Sequence, residues 1–314
     1  MSSSWIRAPD WSQLTHDPQK HRYYGAEFEY RLVWEELLDA LGPKAEPTLL
    51  DYTLLMLKPE CFRRKVSGQI LRIVADQGFT LVDADVRHVL PADESYIWRF
   101  QWNAATSDRL RLFAVKNRGE SCAILLLRRP AAAHQGIPAS VHLASMKGSS
   151  AYLERRQATD LRTVLDIPNR ALTFIHCTDE PADVLRELVA LTPDTERLVA
   201  QLVEGQDGSR AIADRVLRHE LKITPHSVRL SEVAARRGLP DAGLETRPLK
   251  EVRPLFGDMT DELERWDFVT YAAGCIRHDR PDEGPVVSTR FLPEILASWA
   301  STANRPVALV RATP

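Results

Sequence analysis

Tyr52-Thr-Leu-Leu-Met-Leu-Lys-Pro-Glu60 is the stretch on which the reading of this chain turns. Tyr52 to Leu57 is an apolar run of strand length, and Lys58-Pro59 ends it, because proline lacks a backbone N–H and forces the residue before it into extended geometry. Downstream, Val66, Ile70, Ile73 and Val74 recur at helical spacing and stop at Gly78, which suits a left-handed cap. Phe79-Thr-Leu-Val-Asp-Ala-Asp-Val86 reads as a second strand, and a helix is expected from about Ala92 to Trp102. Cys122-Ala-Ile-Leu-Leu-Leu127 is a third strand. The long connection over 128–170 holds a helix near Ile137–Ser145 and an irregular polar segment. Ala171–Ile175 is read as the fourth strand, followed by a helix over Ala182–Leu191 with Thr178 or Asp179 as its cap. This order implies an α+β fold, a split βαβ sheet with helices on one face.

Upstream, Phe28–Leu41 places Leu32, Val33, Leu37, Leu38 and Leu41 at helical spacing, and Gly42-Pro43 stops the helix. Residues 1–50 are thus a helical N-terminal extension and 51–193 the core. Residues 194–314 read as a mainly helical C-terminal region, with helices at Glu196–Glu204, Ser209–Leu221 and Ser231–Gly238. After these come the proline-punctuated segment 247–256, an aromatic stretch around Trp266 and an apolar run Pro306-Val-Ala-Leu-Val310. No motif ties this last region to chemistry.

The 314 residues are 44% hydrophobic and carry a formal net charge of −2, so the whole-chain field predicts attraction to neither nucleic acid nor membrane. Cys61, Cys122, Cys177 and Cys275 are far apart and form no C-x-x-C pair, which argues against a zinc site or a disulfide framework. Reduced thiols, no apolar run of spanning length and a start, Met-Ser-Ser-Ser-Trp-Ile-Arg, without the pattern of an export signal give the expectation of a cytoplasmic protein.

His176 lies in Arg170-Ala-Leu-Thr-Phe-Ile-His-Cys-Thr-Asp179, where an apolar strand gives way to a polar turn. A strand can hold an imidazole rigid at such a junction while a ring nitrogen faces a cleft. Neighbouring strand residues point to opposite faces, so Cys177 is expected to pack rather than to join a Cys-His pair.

Tyr52–Glu60, Val66-Ser-Gly-Gln-Ile-Leu, Gln77-Gly-Phe-Thr-Leu-Val82 and Phe174-Ile-His-Cys-Thr-Asp179 with Glu187 together resemble the nucleoside diphosphate kinase family. That family has an apolar strand ending in Lys-Pro-Asp, a Gly-Phe turn into the next strand, and Ile-His-Gly-Ser-Asp with a glutamate eleven residues past the histidine. The resemblance covers residues 51–193, and it implies a ferredoxin-like sheet and a phosphotransferase working through a phosphohistidine. It further implies ATP or another nucleoside triphosphate as donor, and Mg²⁺ held mainly by the nucleotide's phosphates.

By the family pattern His176 would be the nucleophile, and Glu187 would accept the other ring N–H to fix the tautomer. Thr178 matches a serine contacting the histidine and phosphate region. Lys58 would place an ammonium on the transferring phosphate, Arg162 aligns with a phosphate-binding arginine, and Ser150 falls where the family has a phosphate-contacting threonine. These roles suit phosphoryl transfer, which depends on positioning and on cationic stabilisation of a charge-dispersed transition state.

Departures cluster at the sugar and base end. The family's sugar-contacting asparagine is Thr173, the glycine after the histidine is Cys177, and Tyr96 is the candidate for the active-site tyrosine in a poorly aligned stretch. A second phosphate-site arginine is missing near Val141–Met146, where only His142 is polar enough to note, and its role is not carried over. The expected activity is therefore transfer from a nucleoside triphosphate to a narrowed or altered small-molecule acceptor, with specialised metabolism as one setting. The alternatives are a nucleotide-binding protein of the same fold with impaired turnover, and a C-terminal region carrying a different activity. Housekeeping members are little more than the core. The flanking segments could cover the family's assembly surfaces, so a monomer or homodimer is expected rather than a hexamer.

Overall fold

A computed structural model describes residues 7–88, 90–150, 153–191, 194–241, 246–287 and 292–303. Four strands, β1 (Tyr52–Leu57), β2 (Thr80–His88), β3 (Ser121–Arg128) and β4 (Ile175–Cys177), form one sheet in the order β2-β3-β1-β4. Every neighbouring pair is antiparallel, and β3 lies between β1 and β2. This is the split βαβ arrangement of an α+β fold. Among the described residues no helix is long and apolar enough to cross a membrane.

Helices cover both faces of the sheet rather than one. Every residue of β1 is buried, as is nearly all of β3, so neither face of the sheet's centre can be left to water. Leu55, Leu57, Leu125, Leu127, Ile175 and Cys177 enter one apolar cluster, which the helices Ser67–Asp76, Ser209–Leu221 and Glu262–Cys275 complete. Leu54, Met56, Ile124 and Leu126 point the other way, against the helices Phe28–Leu41, Pro181–Leu191 and Thr195–Glu204. The strand period of two thus sorts each strand's side chains between two cores.

The C-terminal region fills the first of these cores. Val216, Trp266, Phe268 and Tyr271 are at most 1% exposed there. A buried charge network reinforces the join: Arg63 bonds Glu120 at 2.8 Å, and Trp266 Nε1 donates to the same carboxylate at 2.8 Å. The expected helices at 196–204, 209–221 and 231–238 are present as Thr195–Glu204, Ser209–Leu221 and Leu230–Arg237. Pro306–Val310 lies outside the described residues.

Three local readings need correction. The helix expected over Ala92–Trp102 is Pro91–Trp98, and a further helix, Ser107–Asn117, follows it, with Thr106 Oγ1 accepting from Arg109 N as its cap. The helix expected near Ile137–Ser145 is Ala139–Lys147, because Pro138 stands just before its first turn. The fourth strand is Ile175–Cys177, not Ala171–Ile175. Asn169 Oδ1 accepts from the backbone of Ala171 and Leu172 and turns the chain there, and Phe174 stands at φ 61°. Phe174 is fixed by its neighbours: its N–H donates to Glu60 Oε1 at 3.2 Å and its carbonyl accepts from Lys58 N at 2.8 Å.

Candidate active site

β1 and β4 pair so that Met56 lies opposite His176, with Leu57 opposite Ile175 and Leu55 opposite Cys177. Ile175 and Cys177 are buried in the core, and Cys177 packs as its alternation required. His176 therefore emerges on the opposite face. Its Nε2 lies 2.7 Å from Glu187 Oε2, and Trp98 meets its ring edge-on at 5.3 Å between centroids. A carboxylate in this position requires the proton on Nε2 and leaves the lone pair on Nδ1. No side chain among the described residues bonds Nδ1.

His176 lines a cavity of about 320 Å³, which falls at the small-ligand end of binding pockets. Lys58, Arg162, Ser150, Thr173 and Glu187 line the same cavity. Lys58 sits where Pro59 ends β1 and opens the helix Pro59–Arg64. Its Nζ donates to Thr173 Oγ1 at 2.8 Å and stands over the Trp98 ring at 5.0 Å. Burial, with the like charge of Lys116 behind it, pulls the Lys58 ammonium down to about 7. Arg162 spends one guanidinium nitrogen on the Gly148 carbonyl at 2.6 Å, while its Nε is buried without a partner. Burial lowers it to about 10.

Ser150 follows Gly148, whose φ of 78° and crowding make glycine obligatory: a Cβ there would stand 2.6 Å from Asp160 Oδ2. The next carboxylate along the cleft is Asp179, at 2.7 Å from Lys147 Nζ. Burial alone would raise Asp179, but the charges of Lys147 and Lys20 hold it at about 2. Lys20, from the N-terminal extension, bonds Asp183 Oδ2 at 2.6 Å. Lys20 and Tyr24 of the extension thus reach the cleft wall.

Two sequence candidates lie elsewhere. Thr178 is fully buried, its hydroxyl bonded to Thr53 Oγ1 at 2.9 Å and accepting from Leu54 N at 3.2 Å, so it neither faces the cleft nor caps the next helix. That helix starts at Pro181, and Asp183 Oδ2 accepts from the backbone of Asp179 and Glu180 in front of it. Tyr96 donates to Glu27 Oε2 at 2.9 Å, under the guanidinium of Arg186, away from the cavity wall. His142 stacks on Phe79 and is also off the wall.

The cleft also contains side chains that spacing along the chain did not single out. Arg109, from the unforeseen helix Ser107–Asn117, and Arg170 both line it. Trp98, Trp102 and Phe113 form its aromatic wall. Arg170 heads the decapeptide containing His176, and Lys147 heads the Gly-Ser-Ser turn, so both were in view without a partner to give them meaning. Arg109 had no local signal beyond its charge.

The fold and the site define a split βαβ sheet that carries a histidine paired with a glutamate in a cationic cleft. Solved structures of nucleoside diphosphate kinases resemble part of this chain. That of Aquifex aeolicus covers 45% of this chain and 94% of its own at 15% identity, with a TM-score of 0.37. The Encephalitozoon cuniculi enzyme covers 46% and 90% at 11% identity and a TM-score of 0.38, and that of Pyrobaculum aerophilum 46% and 97% at 13% and 0.36. No protein-family model and no curated protein matches the sequence.

Proposed function

We propose that this protein is a phosphotransferase that passes a phosphoryl group from a nucleoside triphosphate to a small-molecule acceptor through phospho-His176. The observation that carries the reading is the 2.7 Å contact between His176 Nε2 and Glu187 Oε2 on a ring that lines a cationic cleft. In the first half-reaction Nδ1 attacks the terminal phosphorus, the N–P bond forms, and the bond to the departing nucleoside diphosphate breaks with its electron pair. Glu187 keeps Nε2 protonated and stabilises the positive charge that the ring acquires. In the second half-reaction an acceptor oxygen takes the phosphoryl group, and the N–P electron pair returns to Nδ1.

Lys58 and Arg162 provide the charge that a transferring phosphoryl group requires. Mg²⁺ would come with the nucleotide, held mainly by its phosphates, and would neutralise phosphate charge. The chemistry of the donor set agrees with that division: Asp179, Asp183 and Glu187 already accept from Lys147, Lys20 and His176. Aromatic side chains on the wall, with Thr173 engaged by Lys58, suit an acceptor narrower than the full set of nucleoside diphosphates.

Incubation with γ-labelled ATP and Mg²⁺ tests the reading. An acid-labile, base-stable label on the wild type that is absent from His176→Ala is expected. Tight ATP binding with no label would instead support a nucleotide-binding protein without turnover. A monomer or homodimer is expected in solution; a hexamer by sedimentation would contradict the assembly proposed here.

A further inference from the structure

Arg109 and Arg170 come from different segments, yet one carboxylate joins them. Asp279 Oδ1 accepts from Arg109 Nη1 at 2.8 Å, and its Oδ2 accepts from Arg170 Nη1. Both arginines line the cavity, but Asp279 is not part of its wall, so the carboxylate holds them from behind. Arg170 Nε is buried and has no acceptor among the described residues. A guanidinium has five N–H donors in a fixed fork, and Asp279 engages one nitrogen of each.

The segment carrying Asp279 is fastened along its length to residues 100–106. Thr106 N donates to His278 O at 3.0 Å, Arg280 N to Ala104 O at 2.9 Å, and Val287 N to Phe100 O at 3.2 Å. Asn103 adds a reciprocal pair, Nδ2 to Gly284 O at 2.8 Å and Val286 N to its Oδ1 at 3.1 Å. Asp279 is therefore held by backbone contacts on both sides, and Pro285 and Val287 of the same strap reach the cavity wall.

We infer that Arg109 and Arg170 form a phosphate-binding arm of the cleft, with Asp279 of the C-terminal region as the positioning residue that aims them. The ligand class is a polyphosphate, whose oxygens would meet the donors that Asp279 leaves unused. The resemblance assigned a role to neither arginine, and the arm depends on a segment outside residues 51–193. The inference rests on reading the cleft as a polyphosphate site, but not on transfer through His176.

Calorimetric titration of the full chain with inorganic tripolyphosphate tests it. Arg109→Leu and Arg170→Leu should each bind about tenfold more weakly, the loss expected of one charge-assisted hydrogen bond. Arg→Lys at both positions keeps the charge but not the fork, and should also bind several-fold more weakly. Asp279→Asn gives the decisive sign. If the carboxylate aims the arginines, affinity falls, and it does not fall further in a chain already lacking both arginines. Unchanged affinity in the arginine variants, or tighter binding by Asp279→Asn, would overturn the inference. The His176 label is read in parallel on the same preparations: weaker tripolyphosphate binding by the variants without any wild-type label supports the arm and sinks the transfer reading alone.

Discussion

In the proposed reading one imidazole carries the chemistry, and a single carboxylate makes its two nitrogens unequal. Glu187→Ala should leave the fold intact, since it removes a partner at the cleft rather than from the core, and should slow His176 labelling by about a hundredfold through loss of the fixed tautomer. Rapid-quench measurement of label formation checks this. Lys58 gives a pH signature. With its ammonium at about 7, it is charged below that value and neutral above it. Tripolyphosphate affinity should therefore fall as pH rises through 7, and in Lys58→Arg that fall should vanish because arginine keeps its proton. The same depressed value lets the unfolded chain bind more protons between pH 7 and about 10.4, so Lys58's contribution makes stability rise across that window. At this scale the sequence was informative where chemistry is local. Lys58 beside Pro59, and Glu187 eleven residues past His176, line one cavity with His176. Thr178 and Tyr96 matched by position, yet their hydroxyls are committed to Thr53 and Glu27.

At the level of elements, apolar runs located β1 and β3 closely, because strands buried on both faces read as continuous hydrophobic stretches, whereas β2 is half-exposed and carries Asp83 and Asp85. The fourth strand was misplaced by one turn of chain. Ala171 to Phe174 are as apolar as a strand, but their course is set by Asn169 and by Glu60, distant in sequence from Phe174. Phe174→Ala should cost about 3–5 kcal/mol from the void left by a fully buried ring, and it should also loosen the turn that presents His176. Thr178→Val separates structure from chemistry. Leaving Leu54 N without its acceptor should cost about 1–3 kcal/mol in urea unfolding, while His176 still takes the label. Loss of labelling in a folded Thr178→Val protein would show that the hydroxyl reaches the phosphate after all. The helix Ser107–Asn117 went unread because its buried face mixes Leu112 and Phe113 with Lys116, whose ammonium bonds Glu60 at 3.2 Å. Burial of a paired lysine hides the amphipathic pattern.

Across the whole molecule, the segments outside 51–193 complete the structure around the sheet. N-terminal helices, joined by Thr195–Glu204, cover one face and the later C-terminal helices the other, and both flanking regions send side chains to the cleft. This was not legible from the sequence, because helical periodicity shows that a face is apolar without showing what it meets. A chain ending at 194 would expose the core now filled by Val216, Trp266 and Phe268, and should lose its cooperative urea transition. Arg63→Ala should cost about 1–3 kcal/mol, because Glu120 loses one charged partner but keeps Arg265 and Trp266 Nε1. All of this architecture holds one ring with Nε2 against Glu187, so under the proposed transfer the nitrogen that would take the phosphoryl group tests the account most directly. After reaction with Mg²⁺ and ATP, phosphorus NMR of the alkali-denatured protein should show phosphohistidine substituted at Nδ1, and His176→Ala should show none. Substitution at Nε2, or a signal that survives in His176→Ala, would contradict the account.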